Sequence, residues 1–372
     1  MRVGILGGGQ LARMMAEAGG PLGLSFTFLD PSAQACAKDL GSLQIGAWDD
    51  ADALKILSAS DRITADFENV PSTVLAQLSA KTIVRPPASA FAAAQDRLTE
   101  KQLLEKLGIP IAPIAAVSSR PDLMAAVEKI GFPAVLKTRR LGYDGKGQAV
   151  LRTQEDLEPA WRDLGGQDLI LEGWINFDFE CAQTAVRSAD GEIRCYPLTR
   201  TVHHDGVLRL AKSPAAVPAG LAEEAKQAVT DLLQALDYVG CLTLELFASG
   251  SEIIANEFAP RPHNSAHWTI EGAVTSQFEN HLRAVCDLPL GATSARGVAL
   301  MFNWLGSMPD RYAMLAVPGL CWHDYHKQSR PGRKVGHATL VAENEDSLDH
   351  ALGLLTPLLD RQTAKLIATV QK

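Results

Sequence analysis

Residues 241–258, CLTLELFASGSEIIANEF, carry the reading that decides the fold. Two strand-like runs flank Ser249-Gly250-Ser251, which predicts a β-hairpin. Side chains alternate faces along a strand. Leu242, Leu244 and Leu246 therefore share one face, and Thr243, Glu245 and Phe247 share the other. A turn centred on Ser251 sets Glu245 opposite Glu257. Carboxylates opposed across a ladder repel each other. A divalent cation turns that repulsion into a binding site, because carboxylate oxygens plus substrate phosphates are the usual way to hold Mg2+. The plain alternative is two solvent-facing glutamates in a loosely registered hairpin.

Three further stretches lie around this hairpin. In LGYDGKGQ, residues 141–148, Gly142, Gly145 and Gly147 make a loop whose backbone can approach a ligand closely. Its N–H groups can cradle phosphates. Lys146 adds a charge inside it, and Lys137, ending the strand FPAVLK, adds another just before it. Tyr143, Asp144 and Gln148 are richer chemistry than the competing reading, a surface turn at Asp-Gly, requires. APRPHNSAHW, residues 259–268, follows Glu257 directly and crowds Arg261, His263, Asn264 and His267 into one loop. In HKQSRPGRKVGH, residues 326–337, Lys327, Arg330, Arg333 and Lys334 fall within eight positions of an acidic chain. Arginine forks match phosphate oxygens, although a solvated basic loop is the commoner use of such a run.

The first fifteen residues, MRVGILGGGQLARMM, read as strand, glycine turn and helix. Gly7-x-Gly9-x-x-Ala12 fits a dinucleotide fingerprint, and Asp30 ends the next apolar run about twenty residues on. That leaves an NAD-dependent oxidoreductase as a reading from another class. Residues 1–90 alternate short apolar runs with helical stretches, as a parallel α/β sheet does. FAAAQDRLTEKQLLEKLG (91–108) reads as helix with a stop at Gly108 and Pro110. AGLAEEAKQAVTDLLQAL and EDSLDHALGLLTPLLD read as later helices, the second as the last.

The chain has 372 residues, is 47% hydrophobic and carries a net charge of −8. That supports two or three packed domains and argues against broad nucleic-acid binding. It shows no apolar run of membrane-spanning length, and a cytoplasmic location is the default expectation. The six cysteines are scattered without a CxxC pair, which speaks against zinc and a disulfide framework.

Together, GGGQLARM, FENV, QDRLTEK, GYDGKGQ, PLTRTVHHDG, NEFAPRPHNSAHWTIEG, SQFENHLRA and RPGRKVGH resemble ATP-grasp ligases. Within that superfamily they resemble the 5-(carboxyamino)imidazole ribonucleotide synthases of purine biosynthesis, over nearly the whole chain. The resemblance implies three domains of mixed α/β and α+β structure. These are a Rossmann-like pre-ATP-grasp domain (1–95), an ATP-grasp domain (96–290, glycine lid about 138–150) and a small mixed β domain (291–372). It implies ATP and Mg2+, a homodimer, and carboxylation of aminoimidazole ribonucleotide by bicarbonate through carboxyphosphate. Other ATP-grasp ligases are the near rivals, such as the formate-dependent glycinamide ribonucleotide transformylase or biotin carboxylase. A degenerate, non-catalytic ATP-grasp binding protein is a further one.

By resemblance, Mg2+ falls to Glu245 and Glu257. The nucleotide falls to Arg97, Lys137, the loop Gly142 to Gln148 and the segment Glu172-Gly173-Trp174-Ile175, whose backbone amides can pair with the base. Glu180 takes the ribose, with His203 and Asn256 nearby. The ribonucleotide falls to Gln10, Leu11, Glu68, Tyr143, Asp144, Arg261, His263 and Asn264, with its phosphate near Lys327, Arg330, Arg333 or Lys334. Catalysis falls to Asp144 as general base, with Tyr143, Lys146, Arg261 and His263. Ala12 and the TADFEN run (64–69) depart from the expected Gly and TYEFEN; neither touches the nucleotide site.

Overall fold

The protein is described by a computed structural model over residues 1–142 and 146–370. Tyr143, Asp144 and Gly145 lie outside the described residues, and so do the functional expectations placed on them.

Buried apolar runs at the start of the chain form a parallel sheet. Its strands are β1 (Arg2–Leu6), β2 (Ser25–Asp30), β3 (Ser42–Ile45), β4 (Arg62–Ala65) and β5 (Ile83–Val84), in the order β3-β2-β1-β4-β5. Helices α1 (Gln10–Gly19), α2 (Ala51–Leu57) and α3 (Ser72–Ser79) connect them, as parallel crossovers require. The predicted strand–turn–helix at residues 1–15 is therefore present.

The stretch read as one helix from residue 91 is two, α4 (Ala88–Ala94) and α5 (Arg97–Lys106). Asp96 breaks it: its backbone is extended and its Oδ1 accepts from Leu98 N and Thr99 N, capping α5. Helical periodicity on both sides masked the cap.

A second, antiparallel sheet follows. Its strands are β6 (Ile114–Val117), β7 (Ala134–Thr138), β8 (Gln148–Leu151) and β9 (Leu169–Gly173), in the order β6-β9-β7-β8. Helices α6 (Arg120–Ile130) and α7 (Leu157–Leu164) cover the face that carries Leu136, Leu169 and Leu171. By strand alternation the opposite face carries Lys137 and Glu172.

The third sheet contains β10 (Phe179–Arg187), β11 (Ile193–Cys195), β12 (Thr199–His204), β13 (Val207–Ser213), β14 (Gly240–Ser249) and β15 (Glu252–Ala259). It continues without a break into β16 (Val298–Leu305), β17 (Leu320–Asp324) and β18 (Lys334–Ala342), because β13 pairs with β16. The C-terminal region is thus an extension of the central sheet rather than a separate layer. Helix α8 (Ala219–Ala235) packs Leu221, Val229 and Leu232 against Leu242, Leu244 and Leu246 of β14. After the short helix α9 (Thr269–Gly272), α10 (Gln277–Val285) packs Phe278, Leu282 and Val285 onto Leu11, Met14 and Met15 of α1. That contact seats the first sheet on the third.

The chain closes with α11 (Arg311–Leu315), α12 (Glu345–Leu355) and α13 (Arg361–Val370). Helix α13, beyond the stretch read as the last helix, was not foreseen. Its buried residues Thr363, Ile367 and Val370 are few and widely spaced.

Candidate active site

The hairpin β14–β15 turns at Gly250-Ser251, not around Ser251, since Ser249 pairs with Glu252. Glu245 nevertheless pairs with Glu257, because the register shifts by one between Glu245 and Leu246. The extra residue is Asn256, a β-bulge, so Asn256 and Glu257 both face away from the core. Glu245 Oε1 lies 3.0 Å from His263 Nε2, and its Oε2 lies 3.9 Å from His203 Nε2. Burial works to raise the Glu245 carboxyl, but His263 and His203 hold it well below the usual carboxylate range. Glu257 Oε2 accepts from Arg97 Nη1 at 2.7 Å. Two carboxylates on one rung, beside an open cleft, match the protein share of a Mg2+ site completed by phosphates. Among the described residues no cluster of three or more metal-ligating side chains occurs.

Opposite this rung stands the polar face of the second sheet. Val135 pairs with Glu172 and Lys137 with Ile170, so Lys137 and Glu172 are diagonal neighbours. Lys137 Nζ sits 3.0 Å from Glu172 Oε2, and Lys101 Nζ sits 3.4 Å from the same oxygen. Burial tends to raise Glu172, but the ammoniums of Lys137 and Lys101 bring it down to about 2. Burial lowers Lys137 from its ordinary value, Glu172 working against that. The amides of Gly173 and Trp174 already donate to Pro113 O at 2.8 Å and Pro133 O at 3.1 Å. Those two amides of the segment Glu172 to Ile175 are thus used by local strand pairing. Glu180 Oε2 accepts from His203 Nδ1 at 2.8 Å and from His203 N at 3.3 Å. Burial lowers His203, yet Glu180 and Glu245 raise it above its ordinary value. At the start of the glycine stretch, Arg97 Nη2 donates to Gly142 O at 3.4 Å.

The loop after β15 joins this centre to the first sheet. Arg261 forms an ion pair with Glu68, and that guanidinium keeps Glu68 below its ordinary value although burial opposes it. His263 is fixed from behind by Gln277, whose Oε1 accepts from His263 N and whose Nε2 donates to His263 O, both at 2.8 Å. Asn264 exchanges two side-chain hydrogen bonds with Asn303 of β16, donating to its Oδ1 at 3.0 Å and accepting from its Nδ2 at 2.8 Å, which engages its side chain in joining segments. The basic loop divides. Lys327 Nζ bonds Gln10 Oε1 and lies 5.8 Å over the Tyr325 ring. Arg330 is exposed, while Arg333 and Lys334 are half-buried.

The glycine turn of residues 7–9 is filled by protein. Asp66 at the end of β4 accepts from Ala12 N at 3.2 Å, and a Cβ on Gly7 or Gly9 would collide with its carboxylate. Asp30 Oδ2 accepts from Gly8 N at 2.8 Å. The helix N-terminus that would hold a dinucleotide phosphate therefore holds Asp66, and the carboxylate that would hold a ribose holds the turn. This overturns the NAD reading.

Sequence reading passed over Asp66, Glu100, Lys101 and Gln277. The available signal was charge on a buried helix face: Arg97, Glu100 and Lys101 fall at i, i+3 and i+4.

Family models match along the chain. Residues 1–95 match the ribonucleotide synthetase preATP-grasp domain, 102–278 the ATP-grasp domain and 299–351 the phosphoribosylaminoimidazole carboxylase C-terminal domain. The N5-carboxyaminoimidazole ribonucleotide synthase of Pseudomonas aeruginosa is 46% identical over 361 residues, 97% of this chain and 100% of that one. The chain belongs to the N5-carboxyaminoimidazole ribonucleotide synthase family. The relative from Brucella melitensis is 42% identical over 91% of this chain and 96% of its own. The crystal structure of the Thermus thermophilus synthetase superposes with a TM-score of 0.93 at 47% identity, covering 96% of this chain and 99% of that one. The Aspergillus clavatus synthase in complex with ADP and 5-aminoimidazole ribonucleotide gives 0.89 at 30% identity, covering 98% of both chains. Family membership makes this an ATP-grasp ligase, with the three-domain architecture that the motifs implied.

Proposed function

We infer that the protein carboxylates 5-aminoimidazole ribonucleotide with bicarbonate, converting ATP to ADP and phosphate. The observation that carries this is the loop after β15. Arg261 reaches Glu68 of the first domain while His263 reaches Glu245 of the hairpin. One loop thereby makes a ribonucleotide pocket and a phosphoryl-transfer centre neighbours, which two-stage chemistry needs.

ATP lies between the second and third sheets, with its base beside Glu172 to Ile175 and its ribose at Glu180. Asn256 and His203 flank the nucleotide. Glu245 and Glu257 hold Mg2+, which when bound neutralises phosphate charge. Arg97, Lys137, Lys146 and the loop amides balance the negative charge that spreads as a bicarbonate oxygen attacks the γ-phosphorus and ADP leaves. The glycine loop from Gly142 through Gly145 and Gly147 to Gln148 excludes water while carboxyphosphate loses phosphate to give CO2. Arg261, His263 and Tyr143 orient the imidazole, and Gln10, Leu11, Glu68 and Asn264 line its pocket. Lys327 and Arg333 take its phosphate, Lys327 from a position where it already meets Gln10. The exocyclic nitrogen then attacks CO2, and Asp144 takes the proton that the nitrogen loses.

We place the domain limits at residues 1–95, 96–290 and 291–372, and a homodimer in the cytoplasm is the form in which we expect the enzyme to work. No helix among the described residues is long and apolar enough to cross a membrane.

A coupled ADP-release assay tests the function. Release should require aminoimidazole ribonucleotide and bicarbonate together for full rate. Full rate with glycinamide ribonucleotide and formate instead would reject it.

A further inference from the structure

Helix α5 meets the outer edge of β15 with three charged side chains. Arg97 Nη1 donates to Glu257 Oε2 at 2.7 Å, Glu100 Oε1 accepts from Phe258 N at 2.6 Å, and Lys101 Nζ donates to Ala255 O at 3.2 Å. The contacts straddle the bulge at Asn256, so one helix face grips the strand before and after it. Lys101 is only 1% exposed. Its ammonium also reaches across to β9, where it shares Glu172 Oε2 with Lys137. The second oxygen, Glu172 Oε1, is buried without a hydrogen-bond partner. A buried carboxylate is stable only when paired, and here one oxygen carries the pairing to two ammoniums.

We propose that Lys101 is a positioning residue for the nucleotide, acting through Glu172 on Lys137 and through Ala255 on the metal-binding edge of β15. Lys101 supplies Glu172 with a second counter-charge beside that of Lys137. Lys137 then shares that carboxylate instead of neutralising it alone, which leaves its ammonium able to turn toward the phosphates. The same ammonium ties β9 to β15, the two walls of the cleft, at one separation. Without it, Lys137 is held more tightly on Glu172, which it already meets at 3.0 Å, and the walls lose their common anchor. Lys101 touches neither substrate nor reacting atoms in this account. The inference rests on ATP occupying that cleft.

Calorimetric titration with ADP and Mg2+ tests it on the full chain, using Lys101→Gln, Lys101→Met, Glu172→Gln and the Lys101→Gln/Glu172→Gln pair. Lys101→Gln keeps a donor for Ala255 O and loses the charge, so it remains informative if the Met variant does not fold. Lys101→Gln should weaken ADP binding at least tenfold and leave aminoimidazole ribonucleotide binding within twofold, a split that general loosening would not produce. In the Glu172→Gln background the same substitution should change ADP binding less than twofold, because the shared carboxylate is gone. Parental ADP affinity in Lys101→Gln, or an undiminished effect in the Glu172→Gln background, overturns the proposal. Absence of ADP binding by the parent protein would instead reject the functional reading, and this inference with it.

Discussion

Glu245 and Glu257 face one another across the β14–β15 ladder, each held by a basic side chain on its outer side, His263 and Arg97 respectively. Glu257→Gln keeps the shape and an acceptor for Arg97 but removes one of the two charges proposed to hold Mg2+. Turnover in the ADP-release assay should fall by about 10²–10³, the usual scale for losing a group that steadies transition-state charge. The Mg2+ concentration for half-maximal rate should rise as well. Turnover within fivefold of the parent would rule out the metal role.

Asp66 gives a pH dependence whose sign can be worked out. Burial raises its carboxyl from 3.8 to about 7, against the bonds from Ala12 and Gly9. The folded chain then binds the proton more tightly than the unfolded one. Its contribution to stability is fully present below pH ~4 and is lost as the pH rises through about 7. Asp66→Asn should remove that slope. Melting midpoints from pH 5 to 8 should show the parent losing several degrees relative to the variant. Parallel curves would disprove the assignment.

Lys327 is assigned to the ribonucleotide phosphate. Lys327→Ala should raise KM for aminoimidazole ribonucleotide about 10- to 100-fold, the range for one charged hydrogen bond. KM for ATP should move less than twofold. With the dephosphorylated nucleoside as substrate, parent and variant should be equally poor; a persisting difference places Lys327 elsewhere.

Asp144 is the assigned base for the amine proton. Asp144→Asn should retain bicarbonate-dependent ATP hydrolysis while carboxylated product, followed by chromatography, disappears. Equal loss of both activities would remove Asp144 from that role.

Local order was well written into the sequence. The glutamate rung followed from strand alternation, though its register was reached through the wrong turn centre, and the bulge at Asn256 made up the difference. A bulge leaves no mark in a hydrophobic pattern, since it changes only which residues oppose each other. Lys137 stands out by its place before the glycine loop, whereas nothing in the helical run 91–108 marks Lys101. What buries it is the approach of β9 and β15, elements far apart in the chain. Likewise the opening glycines predicted a helix N-terminus correctly. That an aspartate 54 positions later than Ala12 would fill it is a tertiary fact.

Helix α13 rests on strands of the central sheet. Lys212 Nζ donates to Val370 O at 3.3 Å, and Arg209 Nη2 to Thr363 Oγ1 at 3.1 Å. Strand β13 also waits for β16 to satisfy its free edge. During synthesis on the ribosome the nucleotide-binding half therefore emerges long before its last partners do. It stays an open-edged sheet, a ready surface for mispairing or chaperone capture, until the final strands and helix have left the exit tunnel.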